Sequence, residues 1–137
     1  MVVQESHAHK YFVYLKDRSR LGLIYRKYWL YPKLSKHITG KLLDIGCGIG
    51  DMLAFRPNSI GIDVNHYNID YCLSRGLEAY FTPDEVLNFS NEEFDSVLLD
   101  NVLEHIERPK ELLMEIKRVL KSGGVLLIGV PGARFCM

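Results

Sequence analysis

The sequence predicts an α/β domain built on a doubly wound, mainly parallel sheet in three layers, α/β/α. Three observations predict it. Short apolar runs alternate with helical patterns from Lys41 onward. Leu42, Leu43 and Ile45, then Ile60 and Ile62, then Val97, Leu98 and Leu99 form short apolar runs, as expected of strands covered on both faces. The first run leads straight into a glycine-rich turn, KLLDIGCGIGD, where a parallel sheet opens its ligand crevice.

The elements follow in order. Residues 17–37 predict one or two helices, interrupted at Pro32 and ending near 36–40. Residues 42–45 are the first strand, and 48–55 a short helix stopped before Pro57. Residues 60–63 are the second strand. A helix over 65–75 has Asn65 as its cap and Gly76 as its stop. Residues 77–81 are the third strand, 84–87 a helical turn, and 95–100 the fourth strand with Val97, Leu98 and Leu99 buried. Pro109 starts a helix to about Lys121 with Leu112, Leu113, Ile116, Val119 and Leu120 as its apolar stripe. Gly123-Gly124 ends that helix, and 125–130 is the fifth strand. No internal repeat or low-complexity segment is present.

Composition narrows the function classes. A chain of 137 residues with 47% hydrophobic and 25% charged residues suits one compact domain. The longest aliphatic stretch, 125–128, is too short to cross a bilayer, and MVVQESHAHKY lacks the pattern of a signal peptide. Three cysteines, Cys47, Cys72 and Cys136, make no CxxC pair and fit reduced thiols in a cytoplasmic protein. No Cys/His/Asp metal spacing occurs, so no metal site is expected, and His7 and His9 fall near a frayed terminus. Neither a G-x-S-x-G elbow nor a G-x-x-x-x-G-K-[ST] loop is present. Net charge is zero but uneven: residues 1–41 hold nine Lys/Arg against Glu5 and Asp17, and the rest holds eight against fifteen acids. The basic part also carries Tyr11, Phe12, Tyr14, Tyr25, Tyr28, Trp29 and Tyr31. Two readings stay open: a surface for an anionic acceptor, or a helical lid whose charges simply face water. There is no strong nucleic-acid signature.

The glycine spacing bears on the ligand. Gly46-x-Gly48-x-Gly50 is one residue shorter than the dinucleotide fingerprint at its third glycine, and Asp44 stands where a pyrophosphate would be repelled. Asp63, at the tip of the second strand, can accept two hydrogen bonds from a ribose diol. A nucleoside cofactor with no phosphate and a positive end suits these residues better than a dinucleotide. Over about 40–132 the chain resembles the class I S-adenosylmethionine-dependent methyltransferases, in their Methyltransf_11-like small-molecule group. The resemblance is carried by LLDIGCGIGD (42–51), GIDVN (61–65), FDSVLLDNVLEHIERP (94–109) and LKSGGVLLIGVPG (120–132), four motifs in family order.

The resemblance implies a Rossmann-like fold, S-adenosylmethionine as cofactor, and roles for particular residues. Gly46, Cys47, Gly48 and Gly50 form the turn that faces the methionine part. Asp44 either binds the cofactor's ammonium or fixes the turn by accepting backbone N–H groups. Asp63 holds the ribose, and Val64 packs on adenine. Asp84 is either the acceptor for the adenine amino group or the cap of a turn. Asp100 and Asn101 end the fourth strand near the methionine end. His105 is either a general base for an acceptor hydroxyl or a structural hydrogen-bonding group ordering the loop before Pro109. The expected division is a basic, aromatic lid at 1–40 and the cofactor-binding core at 41–137. The expected function is in-line methyl transfer to a small-molecule acceptor. The alternatives are a non-catalytic S-adenosylmethionine-binding module and, with less support, a nicotinamide-dependent oxidoreductase. The family's sheet has seven strands, so this chain is expected to lack the last two. That would leave 125–130 as an open apolar edge, and two expectations stay open: a homodimer through this strand, or a longer protein of which the chain is a fragment and which supplies the missing hairpin.

Overall fold

The computed structural model describes residues 5–17, 20–100, 106–130 and 133–136, with backbone alone at 5, 130 and 133–136. Three helical segments precede the sheet: α1 (Glu5–Asp17), α2 (Arg20–Tyr25) and α3 (Tyr31–Ser35), with a π-helical turn at Arg26–Leu30 between the last two. The strands are β1 (Leu42–Ile45), β2 (Ser59–Asp63), β3 (Ala79–Phe81), β4 (Phe94–Asp100), β5 (Leu120–Val130) and β6 (Ala133–Cys136). Helices α4 (Asp51–Phe55), α5 (His66–Ser74) and α6 (Pro109–Val119) connect them. The sheet order is β3-β2-β1-β4-β5-β6, with the first five strands parallel and β6 antiparallel to β5.

Side-chain alternation along the central strands divides the core between two faces. Leu43, Ile45, Ile60, Ile62, Val97 and Leu99 pack with Leu112, Ile116 and Val119 of α6. Leu42, Leu98 and Leu127 pack on the other face with Tyr31, Leu34, Ile38 and Met52. Cys47, Leu53, Ile69, Cys72 and Ala79 extend that second layer under α5. Asp44 pairs with Gly61 and Leu98 in register, so it belongs to the α3–α5 face, at its carboxyl end.

Several expectations are corrected. The N-terminal helix begins at Glu5, not Asp17. Ala8 and Leu15 bury one stripe of it with Phe12 half-buried between them, the i, i+4, i+7 spacing of an amphipathic helix. His9 packs edge-on against Tyr67 with ring centroids 5.0 Å apart. Pro32 opens α3 rather than breaking a helix, since proline's missing N–H is harmless in a first turn. The first crossover helix starts at Asp51, because Gly46, Gly48 and Gly50 all hold positive φ (+75°, +58° and +90°) and keep 46–50 a turn. Residues 84–87 form no helix. Instead the Asp84 carboxylate accepts a hydrogen bond from the Val86 N–H at 2.9 Å, a local turn.

The carboxyl end differs most. Leu120 already pairs with Phe94 as the first residue of β5, and the register then shifts before Ser96 pairs with Val125. Gly123-Gly124 lies inside the strand as a bulge, with Gly123 at φ +79°. A Cβ on Gly124 would sit 2.8 Å from the Lys121 carbonyl oxygen and 3.0 Å from that of Asp95. Leu113 leaves the apolar stripe and is largely exposed. The outer edge of β5 is not open along its last residues: β6 pairs Leu127 with Cys136, Ile128 with Phe135, Gly129 with Arg134 and Val130 with Ala133. The expected homodimer through 125–130 loses its premise there. Four residues with no long apolar run are too short a signal to read as a strand. Among the described residues no helix is long and apolar enough to cross a membrane.

Candidate cofactor site

Three carboxylates meet at the carboxyl ends of β1, β2 and β4. Asp44 and Asp63 are 5% and 9% exposed, and Asp100 is half-buried beside them. Burial is the main reason that Asp44 is held well above the usual carboxylate range, and the charges of Asp100 and Asp63 push it the same way. Among the described residues, no hydrogen-bond donor is paired with the Asp44 carboxylate.

Asp63 is held differently. One oxygen accepts the Gly48 N–H at 2.9 Å and the other accepts the Asn65 N–H at 2.8 Å. Burial raises its pKa, and these bonds, with the Asn68 side chain and the Val64 N–H, pull the other way. Fixing the glycine turn is therefore work done by Asp63 and not by Asp44. The Gly46 and Cys47 N–H groups donate to the Ile62 carbonyl at 2.8 and 3.0 Å, which binds the turn to β2 from the backbone side. Gly46 itself is exposed and Gly48 half-exposed, so the turn presents bare backbone to the crevice. Gly50 has no room for a side chain: a Cβ there would be 2.6 Å from Leu77 Cδ1.

Helix α5 starts beside the site. Asn65 caps it by accepting the Tyr67 N–H at 3.0 Å, and its amide donates to the Ala8 carbonyl of α1 at 2.8 Å. Val64, between Asp63 and this cap, is half-exposed. Helix α1 thus lies against the carboxyl ends of the strands, and a Cβ on Gly48 would meet Leu15 Cδ1 at 3.3 Å. Asp51, just past the turn, lies 3.6 Å from both Arg26 and Arg75, which ties the pre-sheet helices and α5 to the same place. Ala8, Leu15 and the cap amide of Asn65 were not anticipated at the site; the Ala8–Phe12–Leu15 spacing was the signal available. Asp84 lies exposed beyond β3 and is engaged with Val86, apart from the three carboxylates. Asn101 and His105 lie outside the described residues. Among the described residues no cluster of three metal-ligating side chains occurs.

These residues fit a cationic nucleoside better than an anionic one. Three acids lie together at one end of the sheet, one of them with no donor among the described residues, and two groups of S-adenosylmethionine, its sulfonium and its ammonium, are positive. Residues 43–128 match the family model described as a methyltransferase domain, and the chain belongs to that family. The chain is 35% identical over 97 residues to a ubiquinone biosynthesis O-methyltransferase of Dinoroseobacter shibae, covering 64% of this chain and 39% of that protein. It is 31% identical over 119 residues to a tRNA U34 carboxymethyltransferase of Hydrogenovibrio crunogenus, covering 73% and 36%. The fold matches that of an S-adenosylmethionine-dependent methyltransferase from Thermotoga maritima with a TM-score of 0.71 at 22% identity, over 88% of this chain and 59% of that one. The chain spans less than half the length of the curated relatives it matches.

Proposed function

We propose that this domain binds S-adenosylmethionine in the crevice beside Gly46–Gly50 and directs its methyl group to a small-molecule acceptor. The carrying observation is the convergence of Asp44, Asp63 and Asp100 on a glycine turn whose backbone is bare. Asp63 keeps acceptor capacity beyond its two backbone bonds, since a carboxylate offers about four lone-pair sites, and it would hold the ribose diol. Asp44, buried with no donor among the described residues, would neutralise the ammonium. Asp100 and Asn101 would line the same end, and Val64 would pack against adenine. Asp84 would stay with its turn unless the adenine amino group displaces the Val86 N–H.

S-adenosylmethionine supplies a methyl carbon already activated by its sulfonium. The chain's own work is then positioning and exclusion of water, which in well-aligned systems supplies most of the rate. Helix α1, pinned through Asn65 and Leu15, would close the crevice and form part of the acceptor surface. Where the acceptor is a hydroxyl, an imidazole nitrogen of His105 would take its proton. The small-molecule reading is supported by the named role of the Dinoroseobacter relative. A second reading, an RNA acceptor, is favoured by the basic and aromatic segment before β1 and by the name of the Hydrogenovibrio relative. The segment Asn101-Val102-Leu103 lacks the Asn/Asp-Pro-Pro-aromatic motif of enzymes that methylate amino groups of bases.

Calorimetry with S-adenosylhomocysteine and with NAD tests the cofactor. The homocysteine nucleoside should bind and NAD should not, and Asp63→Ala should weaken binding by about 2–3 kcal/mol through loss of a charge-assisted contact. Equal affinity in mutant and wild type would remove Asp63 from the ribose.

A further inference from the structure

Behind the glycine turn two thiols meet that the proposed methyl transfer does not use. Cys47 is 8% exposed and Cys72, on α5, is fully buried; both are free. Their thiols converge on one acceptor, the Gly48 carbonyl, at 3.7 and 3.4 Å. Two glycines make the space for them. A Cβ on Gly61 would stand 2.7 Å from the Cys47 sulfur, and one on Gly50 would stand 2.9 Å from the Cys72 sulfur.

We propose that Cys47 and Cys72 are an oxidisable dithiol, closed to a disulfide by a small peroxide, and that closing it weakens cofactor binding at the turn. The chemistry balances. The Cys72 sulfur attacks one peroxide oxygen, the O–O bond breaks, and the departing hydroxide takes a proton to leave as water. The Cys47 sulfur then attacks the Cys72 sulfenic sulfur, the S–O bond breaks, and the second hydroxide leaves as water with the Cys47 proton. Two thiols lose two electrons and one peroxide gains them. The roles follow from the surroundings: the neighbouring Cys47 thiol lowers the Cys72 pKa and the Arg75 guanidinium lowers it further, whereas Cys47 is held up by the adjacent Cys72 and by burial.

An S–S bond of about 2.05 Å is far shorter than any contact between two unbonded sulfurs. Closing it draws Cys47 toward α5. The Cys47 N–H is bonded to the Ile62 carbonyl at 3.0 Å, and its carbonyl accepts the Gly50 N–H at 3.1 Å. The turn must move with it. This consequence rests on the cofactor site proposed above.

The test treats the full chain with hydrogen peroxide and follows intact mass, peptide mapping and S-adenosylhomocysteine binding. The expected result is loss of two hydrogen masses, a Cys47–Cys72 cross-linked peptide, and binding weakened about tenfold, the worth of one or two backbone contacts. A thiol reductant should restore it. Cys72→Ser, with Cys72→Ala as a second variant, should keep S-adenosylhomocysteine affinity through the same treatment. Uncrosslinked thiols, separate oxidation of each cysteine, or a bridge to Cys136 would overturn the pairing. A cross-linked protein that binds as tightly as the reduced one would overturn the effect on the cofactor. If the reduced protein binds no S-adenosylhomocysteine, the cofactor site itself fails, and the mass measurement still decides whether the dithiol closes.

Discussion

A carboxylate buried beside two others is a liability to the empty fold and an asset to a cation. Asp44 shows this most clearly, since its pKa is raised by burial first and by Asp100 and Asp63 next. A raised folded pKa means that the folded state binds the proton more tightly than the unfolded chain. The associated stability is fully present below the unfolded value of about 3.9. It is lost as pH rises through the raised value. Without cofactor, the domain should therefore become less stable between acid and neutral pH on account of this group. Asp44→Asn should flatten that slope and raise the neutral-pH melting temperature while weakening S-adenosylmethionine binding, as checked by calorimetry across pH. An unchanged slope in the mutant would clear Asp44 of the role. Gly61 makes a second demand at this scale. Its neighbours Cys47 Cβ, Cys47 Sγ and Leu53 Cδ1 would each be 2.7 Å from an added methyl group. Gly61→Ala should destabilise by about 1–3 kcal/mol, the usual range for overpacking, and denaturant titration would measure it.

At the scale of elements, α1 is the segment most directly coupled to the site. It is joined to α5 by the Asn65–Ala8 hydrogen bond and by rings: Phe12 stacks near Tyr67 with centroids 6.2 Å apart and reaches Tyr71 at 5.6 Å. Leu15 over Gly48 anchors it to the glycine turn itself. Leu15→Ala should speed amide exchange across Glu5–Asp17 and shorten the residence time of bound S-adenosylhomocysteine, while β1 and β4 stay protected. Uniform loss of protection in both regions would show that α1 belongs to the global folding unit instead. Deletion of all of 1–36 is a poor test of a lid, because Tyr31 and Leu34 of α3 are buried against Leu42 and Leu98. The same elements show what was legible in the sequence. The parallel strands and the cap at Asn65 follow from local pattern: continuous apolar runs, and an Asn ahead of a helix with Gly76 after it. Helix α1 is not legible in the sequence because its buried stripe of Ala8, Phe12 and Leu15 is small and sits among tyrosines and charges. The Gly48–Asp63 bond and the meeting of Cys47 with Cys72 join residues 15 and 25 positions apart, and no local periodicity carries such contacts. Gly123-Gly124 is ambiguous in the sequence because two glycines end a helix and bulge a strand equally well.

Across the whole molecule, the sheet ends on one side in the short β3 and on the other in β6, and the second edge matters more. Strand β5 has 11 residues and its described pairs with β6 run from Leu127 to Val130. Backbone N–H and C=O groups along a sheet edge template pairing with another chain unless a strand, a charge or a bulge blunts them. Here β6 covers the carboxyl part of the edge and the Gly123 bulge interrupts the amino part. Residues 125–130 themselves contain no charge and no proline. Removing 131–137 would uncover them. The shortened chain should therefore associate at micromolar concentration, giving a dimer or larger species by light scattering where the 137-residue chain is smaller. Ile128→Lys in the shortened chain should reverse that association, because a charge within an uncovered strand opposes edge-to-edge pairing. If the shortened chain and the 137-residue chain scatter alike, β6 is not what protects this edge. Protection would then fall to the bulge, and replacing Gly123 by a residue that resists positive φ should produce the association instead.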